Sequence, residues 1–319
     1  MVVGQPFAAP FSVAVYDIYG EASVGTPVTF TAPASGASGT FAATGTATQT
    51  VLSDSSGTAT ASAFTTNTIA GSYTVQITAP QGAGSYAQVA GKDWAKPAAQ
   101  GTLTASINAT NAPDVPALIS AAPGGSGLTA TVNTVYSAQP AVLITDIYSN
   151  PVPFVPVLFT VIPGGNGAAG LFSGSPTANG VTGFNGIASA PFLTANTIAG
   201  SFQVNADGGF GNVNLGMTNT PDVPAALTAT FGGGQSTTVT AAFSNFLIAR
   251  LTDAYGNGVP GQSVVFNAPV SGPGAGFLGS GTSSETNTTD SGGYATTSAV
   301  LANTVAGSYN VTASFGAFT

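Results

Sequence analysis

Residues 67–75 read NTIAGSYTV, and the same phrase returns as NTIAGSFQV at residues 196–204 and as NTVAGSYNV at residues 303–311. Successive copies of this segment, here called the Asn phrase, start 129 and then 107 residues apart. A period of about 107 residues is far longer than a solenoid unit and is typical of a whole domain. The 319-residue chain is therefore predicted to contain three tandem copies of one domain.

A second motif recurs in step with the Asn phrase. DIYGE at Asp17, DIYSN at Asp146 and DAYGN at Asp253, here called the Asp turns, each precede their Asn phrase by 50 residues. A third motif, PDVP, surrounds Asp114 and Asp222, which are 108 residues apart. Its two prolines stiffen the backbone, so PDVP is interpreted as the linker between repeats.

These markers predict three domains, at residues 1–112, 113–220 and 221–319. The first repeat is longer than the others, and the extra residues fall at about 81–101, in a segment that contains the only tryptophan, Trp94. The third copy ends 16 residues after Asn303, about where the last strand of the second copy begins. The first copy also begins late relative to its Asp turn, so both terminal domains are predicted to lack an edge strand.

The residue pattern within each repeat has a period of two. Apolar and small polar residues alternate in 11–15, 28–30 and 73–77, and Gly-, Pro- and Asp-rich turns separate these runs. Alternation over short runs indicates half-buried strands, and no window has helical periodicity. The predicted fold is all-β: three tandem Ig-like β-sandwich domains in a rod.

The aromatic residue of each Asn phrase is a candidate structural residue. Tyr73, Phe202 and Tyr309 each stand two residues before a valine. In an immunoglobulin sandwich a tyrosine often begins strand F, two residues before the cysteine that joins the sheets. Phe202 has no hydroxyl, so the shared feature is an aromatic ring in the core, and the phrase is predicted to be structural.

The Asp turns admit two interpretations. An aspartate side chain accepts hydrogen bonds from backbone N–H groups two residues on, which fixes a turn, and this reading is favoured. Calcium binding at Asp17, Asp146 and Asp253 is the weaker alternative, because Ca²⁺ needs 6–8 oxygen ligands and the eleven acidic residues are scattered.

The composition excludes several classes of function. Only three cations are present and the net charge is −8, so the chain cannot neutralise a run of phosphates on nucleic acid or on an anionic membrane. Without histidine or cysteine, the commonest general base and the commonest transition-metal ligand are missing, and only Ser–Lys or paired-carboxylate chemistry is left. The lysines and acidic residues form no convergent set that repeats or clusters, so neither catalysis nor a cofactor is expected. No apolar run of 18 residues occurs, so no membrane insertion is expected in this segment.

The motifs together resemble the bacterial Ig-like domains of group 1, which form the stalks of intimin- and invasin-type surface proteins. The resemblance rests on TDAYGNGVPGQSVVFNAP at 252–269, DSGGYATTS at 290–298 and LANTVAGSYNVTA at 301–313, and on their counterparts in the earlier repeats. It covers nearly the whole chain except the insert. It implies an extracellular, cell-surface location and a role as spacer modules.

Two hypotheses of function follow. The first is an extracellular structural protein, a stalk or filament whose open edges accept a strand from another subunit, so that its partner is itself or the rest of a longer repeat protein. The second is an adhesin that contacts a partner or glycan through the insert, with Tyr86 and Trp94 as interaction candidates. For Trp94 the simpler alternative is packing of the insert onto its own domain.

Overall fold

The computed structural model describes residues 1–17, 19–80, 85–88 and 102–318. These residues form strands, turns and loops without any helix, which confirms the all-β prediction. In the same part of the chain, no helix has the length and hydropathy needed to cross a membrane.

The first repeat contains nine strands. They are β1 (Ser12–Asp17), β2 (Pro27–Thr31), β3 (Gly39–Phe41), β4 (Thr48–Leu52), β5 (Thr58–Thr60), β6 (Phe64–Thr66), β7 (Gly71–Pro80), β8 (Ser85–Gln88) and β9 (Thr102–Asn111).

The second repeat contains ten strands. They are β10 (Leu118–Ala121), β11 (Leu128–Thr131), β12 (Ala141–Thr145), β13 (Pro156–Ile162), β14 (Gly170–Phe172), β15 (Thr177–Val181), β16 (Ile187–Ser189), β17 (Leu193–Ala195), β18 (Gly200–Asp207) and β19 (Asn212–Thr220).

The third repeat contains eight strands among the described residues. They are β20 (Ala226–Phe231), β21 (Ile248–Thr252), β22 (Ser263–Asn267), β23 (Ala275–Phe277), β24 (Ser284–Thr288), β25 (Tyr294–Thr296), β26 (Val300–Ala302) and β27 (Thr312–Ser314).

The first repeat is a sandwich around one apolar core. Its sheets have the orders β5-β1-β8 and β4-β2-β7-β9, with a small β3-β6 pair at the side. The core draws inward-facing residues from both sheets, such as Val15, Phe30 and Val75. These are the alternate positions of the sequence pattern, because successive side chains of a strand point to opposite faces.

Strand β8 comes from the insert and occupies an unexpected place. It pairs antiparallel with β1, with Tyr86 opposite Tyr16. In the third repeat the corresponding neighbour of β21 is its first strand, β20. The insert therefore supplies a strand at the position where the sequence predicted that the first repeat lacks one.

Contacts divide the chain into two compact units. The first comprises Met1–Ser120, Leu143–Val155 and Val181–Ala188, and the second comprises Ala121–Val142, Pro156–Gly180 and Ser189–Thr319. The division passes through the second repeat. It leaves the β10-β12-β16 sheet mostly in the first unit and the β11-β19-β18-β13-β15 sheet mostly in the second. The three predicted domain boundaries remain predictions.

The third repeat belongs to the second unit. The sheet that contains the strand after its Asn phrase has fewer strands than the corresponding sheet of the second repeat. Its sheets are β20-β21-β25 and β24-β22-β27, with the pair β23-β26. Strand β27 pairs with β22 over three residues, whereas its counterpart β18 pairs with β13 over five and with β19 over eight. The described part of the third repeat contains no strand equivalent to β19, as the sequence predicted.

Candidate functional site

The three Asp turns share one local geometry. The Oδ1 atom of Asp146 accepts the backbone N–H groups of Tyr148 and Asn150, both at 2.9 Å. Asp253 receives the same two bonds from Tyr255 and Asn257, at the same distances. Asp17 receives them from Tyr19 and Glu21. These are the bonds of an Asx turn, because the short side chain reaches N–H groups two and four residues on.

At the first junction, the Asp turn of the second repeat holds the Asn phrase of the first. Oδ2 of Asp146 accepts the N–H of Asp114, at 2.9 Å, and the side-chain amide of Asn150, at 2.8 Å. Asn150 in turn spans the junction: its Nδ2 donates to the carbonyl of Thr68 at 2.9 Å, and its Oδ1 accepts the N–H of Ala70 at 2.8 Å. We call this set of bonds the clamp.

At the second junction the clamp is built again. Oδ2 of Asp253 accepts the N–H of Asp222 and the side-chain amide of Asn257. Asn257 donates to the carbonyl of Thr197 at 2.9 Å and accepts the N–H of Ala199 at 2.8 Å. Both ends of the asparagine amide are satisfied by a backbone acceptor and a backbone donor of the preceding repeat, which fixes the orientation of the side chain.

The central aspartates of the two clamps are buried and remain acidic. Only 2% of Asp146 and 2% of Asp253 is exposed. Burial raises the pKa of Asp146, but hydrogen bonds from the Asn150 side chain and from the N–H groups of Asp114, Asn150 and Tyr148 outweigh it, so the pKa lies below its ordinary value. The pKa of Asp253 is lowered for the same reasons. Each carboxylate is therefore ionised at neutral pH and works as an acceptor of four N–H bonds.

The Asn phrase is also anchored within its own repeat. In the second repeat the amide nitrogen of Asn219, at the end of β19, donates to the Ala169 carbonyl, the Oδ1 of Asn196 and the Ile198 carbonyl, at 2.9–3.1 Å. Asn111, at the end of β9, makes the same three bonds in the first repeat. The phrase thus connects its own last strand with the following repeat.

Tyr73 and Phe202 of the Asn phrases are buried in the core, whereas Tyr309 is half-buried against it. Tyr73 is buried and its hydroxyl has no hydrogen-bond partner, and burial raises its pKa to about 12. Phe202 is buried too and packs edge-on against Tyr136, whose hydroxyl donates to Oδ1 of Asn219 at 2.7 Å. The ring is therefore the shared feature, and Tyr309, with an unpartnered hydroxyl, fits the same pattern.

The Oδ1 atom of Asn111 lacks the donor that Oδ1 of Asn219 has in the second repeat. Phe7 occupies the position in the first repeat that Tyr136 holds in the second. The backbone N–H of Phe7 donates to the carbonyl of Phe64, as that of Tyr136 donates to the carbonyl of Leu193. Without a hydroxyl there, the buried Oδ1 of Asn111 has no hydrogen-bond partner.

The Asp turn of the first repeat differs at the clamping position. Glu21 stands where the later turns have Asn150 and Asn257. A glutamate carboxylate accepts hydrogen bonds but cannot donate to a carbonyl, so this turn cannot reproduce both clamping bonds.

The remaining predicted site residues have mixed outcomes. Among the described residues, no group of three or more acidic, histidine or cysteine side chains is placed to hold a metal ion. Calcium binding at Asp17, Asp146 and Asp253 stays a hypothesis. Tyr86 lies in β8, whose backbone pairs with β1. Trp94 lies outside the described residues, so its role stays a prediction.

The sequence reasoning missed Asn150 and Asn257. The signal was present, because both asparagines stand four residues after the aspartate in the two turns that follow a PDVP linker, and Glu21 replaces them in the turn that does not.

Comparison with known proteins finds likeness only among solved structures. No family model matches the chain, and no curated protein matches it. FdeC, described as an adhesin of Escherichia coli, is 18% identical with a TM-score of 0.43, covering 98% of this chain and 94% of FdeC. Invasin, described as a bacterial integrin-binding protein, is 17% identical with a TM-score of 0.44, covering 98% and 56%.

InvD of Yersinia pseudotuberculosis is a third similar structure, 12% identical with a TM-score of 0.47, covering 94% of this chain and 78% of InvD. Invasin, which belongs to the class of surface protein that the motifs resemble, is thus among the similar structures. At identities below 20% and TM-scores below 0.5, the likeness transfers no residue's role to this chain.

Proposed function

We propose that this chain is a structural segment of an extracellular bacterial surface protein, in which Ig-like repeats follow one another through clamped junctions. The observation that carries the proposal is the repetition of the clamp at both junctions, with the same bonds at nearly the same distances. A fixed junction limits bending, and strand ladders resist extension, which is what a stalk or filament requires of its modules.

Each clamp combines two kinds of hydrogen bond. Two bonds go to an ionised carboxylate, and such bonds each contribute roughly 1.5–3 kcal/mol. The two bonds that Asn150 or Asn257 makes to the preceding repeat join neutral groups and contribute roughly 0.5–1.5 kcal/mol each. The contact division agrees, because it keeps Asp146 with the Asn phrase of the first repeat and Asp253 with that of the second.

The absence of cysteine makes the proposal simple to test. Single cysteines introduced at Asn179 and Ser271, both exposed, carry spin labels on the second and third repeats. We expect a narrow distribution of label distances in the otherwise unchanged chain and a broad one after Asn257→Ala. The matched control is Asn205→Ala, which removes a half-buried asparagine that bonds only within its own sheet. A broad distribution before any clamp substitution would contradict the proposal.

Assembly by strand complementation, in which a strand of one chain completes a sheet of the next, is the finer part of the proposal. The first measurement is the mass of the purified chain by light scattering, with negative-stain images of the same sample. Uniform filaments are expected if one chain completes the next, and a monodisperse mass near the 30.9 kDa of one chain would contradict self-assembly.

The alternative function, an adhesin that binds through Tyr86 and Trp94, gains no support from the described residues. A Trp94→Ala substitution separates its two outcomes. Loss of partner binding at an unchanged melting temperature identifies a binding site, whereas a lowered melting temperature identifies packing.

A further inference from the structure

The second repeat presents a pair of aromatic rings to solvent. Phe154 is 66% exposed and Phe184 is 84% exposed. Their ring centroids lie 5.2 Å apart and their planes make an angle of 79°, so the contact is edge-to-face. Both residues belong to the first compact unit. Single exposed apolar residues are ordinary on a protein surface, whereas adjoining ones mark a place that another molecule covers.

Phe154 has a backbone conformation that the other repeats give to glycine. Its N–H donates to the carbonyl of Thr182 at 2.8 Å, and Gly25 and Gly261 make the corresponding bond in the first and third repeats. The φ angle is 63° at Phe154, against 75° and 73° at these glycines. A bulky side chain resists this left-handed region, and such strain is concentrated at functional sites. The second repeat therefore has a strained phenylalanine where glycine would fit the same turn without strain.

Phe184 also stands where the other repeats have a small residue. The turn 183–186 corresponds to 54–57 and 290–293, because in each turn the last N–H donates to the first carbonyl. The residue at the position of Phe184 is serine in both of the other turns. The first residue of the turn differs too, since Gly183 replaces an aspartate. The second repeat thus has two rings and no carboxylate where the others have a glycine, a serine and an aspartate.

The two segments that carry the rings are uncharged. Residues 147–155 and 181–188 contain no Asp, Glu, Lys or Arg, so they offer no counter-charge to an ionic ligand. Asn185, next to Phe184, is exposed, and its Oδ1 accepts the N–H of Ile187 at 3.1 Å. Its Nδ2 makes no hydrogen bond within the described part of the chain. A neutral amide donor is therefore available beside the rings.

The area of the ring pair limits what can cover it. A fully exposed phenylalanine presents about 200 Å², so Phe154 and Phe184 together present about 300 Å². A stable protein interface takes about 800 Å² from each partner, whereas two such pairs face to face would bury only about 600 Å² in total. The pair alone is thus too small an interface for a second copy of the chain, and it suits a small neutral ligand.

A sugar ring has the complementary chemistry. The face of an aromatic ring is electrically negative, so it attracts the slightly positive C–H groups on the face of a pyranose. The hydroxyls of the sugar lie around its edge, where they accept hydrogen bonds from groups such as an amide. An entirely apolar ligand would use the rings but not the donor of Asn185.

We propose that Phe154 and Phe184 bind a neutral carbohydrate, with a sugar ring stacked on an aromatic face and Nδ2 of Asn185 donating to a sugar hydroxyl. This binding activity goes beyond the structural role proposed above and does not depend on the clamps. It assigns to the second repeat a site that its two neighbours, with glycine and serine at these positions, do not have.

The test is saturation-transfer NMR of the full chain with maltose, cellobiose and lactose as probes. We expect transfer from the protein to the C–H protons of at least one of these sugars. Phe154→Gly and Phe184→Ser introduce the residues of the other repeats, and each should weaken binding roughly tenfold, since each removes one stacking ring. The matched control is Phe192→Ala, which removes another exposed phenylalanine of the second repeat and should leave binding unchanged.

Two further measurements distinguish binding from a structural role. Phe154→Gly removes the strained conformation, so its melting temperature should be unchanged or higher although binding weakens. Asn185→Asp keeps the acceptor for the N–H of Ile187 and removes only the Nδ2 donor, so it should weaken binding at an unchanged melting temperature. Lower melting temperatures of Phe154→Gly and Phe184→Ser with undiminished sugar binding would overturn the proposal, because the rings would then serve packing.

Two other results would overturn the proposal. The first is the absence of transfer to all three sugars. The second is a decrease in the mass measured by light scattering on Phe184→Ser, with no effect of sugar, because it would identify a second copy as the occupant. Neither result bears on the clamps, which the distances between spin labels test separately.

Discussion

The second and third repeats contain almost the same Asn phrase, yet the residues after it have different structures. In the second repeat they form the eight-residue strand Gly200–Asp207, and Phe202 and Val204 are buried. In the third repeat only Thr312–Ser314 is a strand. The difference follows the partner: β18 pairs with β19 along its whole length, and the third repeat has no equivalent strand in its described part.

The comparison shows which part of the Asn phrase has a structure that depends only on neighbouring residues. The corner keeps its glycine conformation and its asparagine bonds in all three repeats. The strand that follows forms only where a second strand pairs with it, because strand preference reflects cross-strand packing more than an intrinsic backbone tendency.

The largest expected effect distinguishes the two repeats directly. Val204 is fully buried, so Val204→Asp should destabilise the second repeat by more than about 4 kcal/mol, because an unpaired charge would lie in the core. Val311→Asp, at the equivalent half-buried position, should cost about 1 kcal/mol or less. Urea unfolding, followed by hydrogen exchange in each repeat, measures both. Equal losses of unfolding free energy would mean that Val311 is as deeply buried as Val204.

A smaller loss is expected at the junction. Asp146→Asn keeps the shape but replaces the acceptor Oδ2 with an NH₂ group that faces the N–H donors of Asp114 and Asn150. We expect a cost of about 2–3 kcal/mol for these unsatisfied buried groups. The control is Asp54→Asn, since the three bonds of that exposed turn all go to Oδ1, which an asparagine also provides. Thermal melting of both variants tests this, and equal shifts would contradict a special role for the clamp.

Acid should loosen both junctions. The pKa values of Asp146 and Asp253 are lowered in the folded chain. Each therefore contributes stability that is present above the unfolded pKa of about 4 and is lost as the pH falls through the lower folded value. When melting temperatures are measured from pH 7 to pH 2, they should decrease once the pH is below about 4. The melting temperature of an Asp146→Asn, Asp253→Asn double variant should decrease less. If the melting temperatures of both chains decreased equally with pH, the loss of stability in acid would be due to other carboxylates.

Adding one hydroxyl group to the first repeat should increase its stability. Phe7→Tyr places in the first repeat the hydroxyl that Tyr136 provides in the second, next to the unpartnered Oδ1 of Asn111. The gain should be about 1 kcal/mol, the usual net value of one hydrogen bond. The same substitution combined with Asn111→Ala should bring no gain, and a gain that persists there would assign the effect to packing.

The smallest effect is expected from calcium. Because the carboxylates of Asp146 and Asp253 already accept four N–H bonds each, removal of Ca²⁺ with a chelator should leave the melting temperature unchanged. A drop that added Ca²⁺ reverses, and added Mg²⁺ does not, would revive the calcium hypothesis.

Local features of this fold could be predicted from the sequence. The period-two pattern predicted the strands, the spacing of the phrase predicted the repeat, and Phe202 showed that the ring and not its hydroxyl is shared. Such features are encoded within a few residues, so one sequence is enough to find them.

Features that join distant residues were missed. Asn150 contacts residues 80 and 82 positions earlier, and no local pattern indicates which backbone groups an asparagine will meet. The place of β8 was missed for the same reason, because the sequence locates an insert but not the strand beside which it pairs.

The clamp also amounts to a rule for shuffling modules. A repeat can follow another when its Asp turn ends in asparagine and when the repeat before it presents an Asn phrase, because every other atom of the clamp belongs to the backbone or to the aspartate. The second and third repeats meet this rule and should be interchangeable as cassettes. The first repeat, with Glu21, would fit an internal position only after Glu21→Asn.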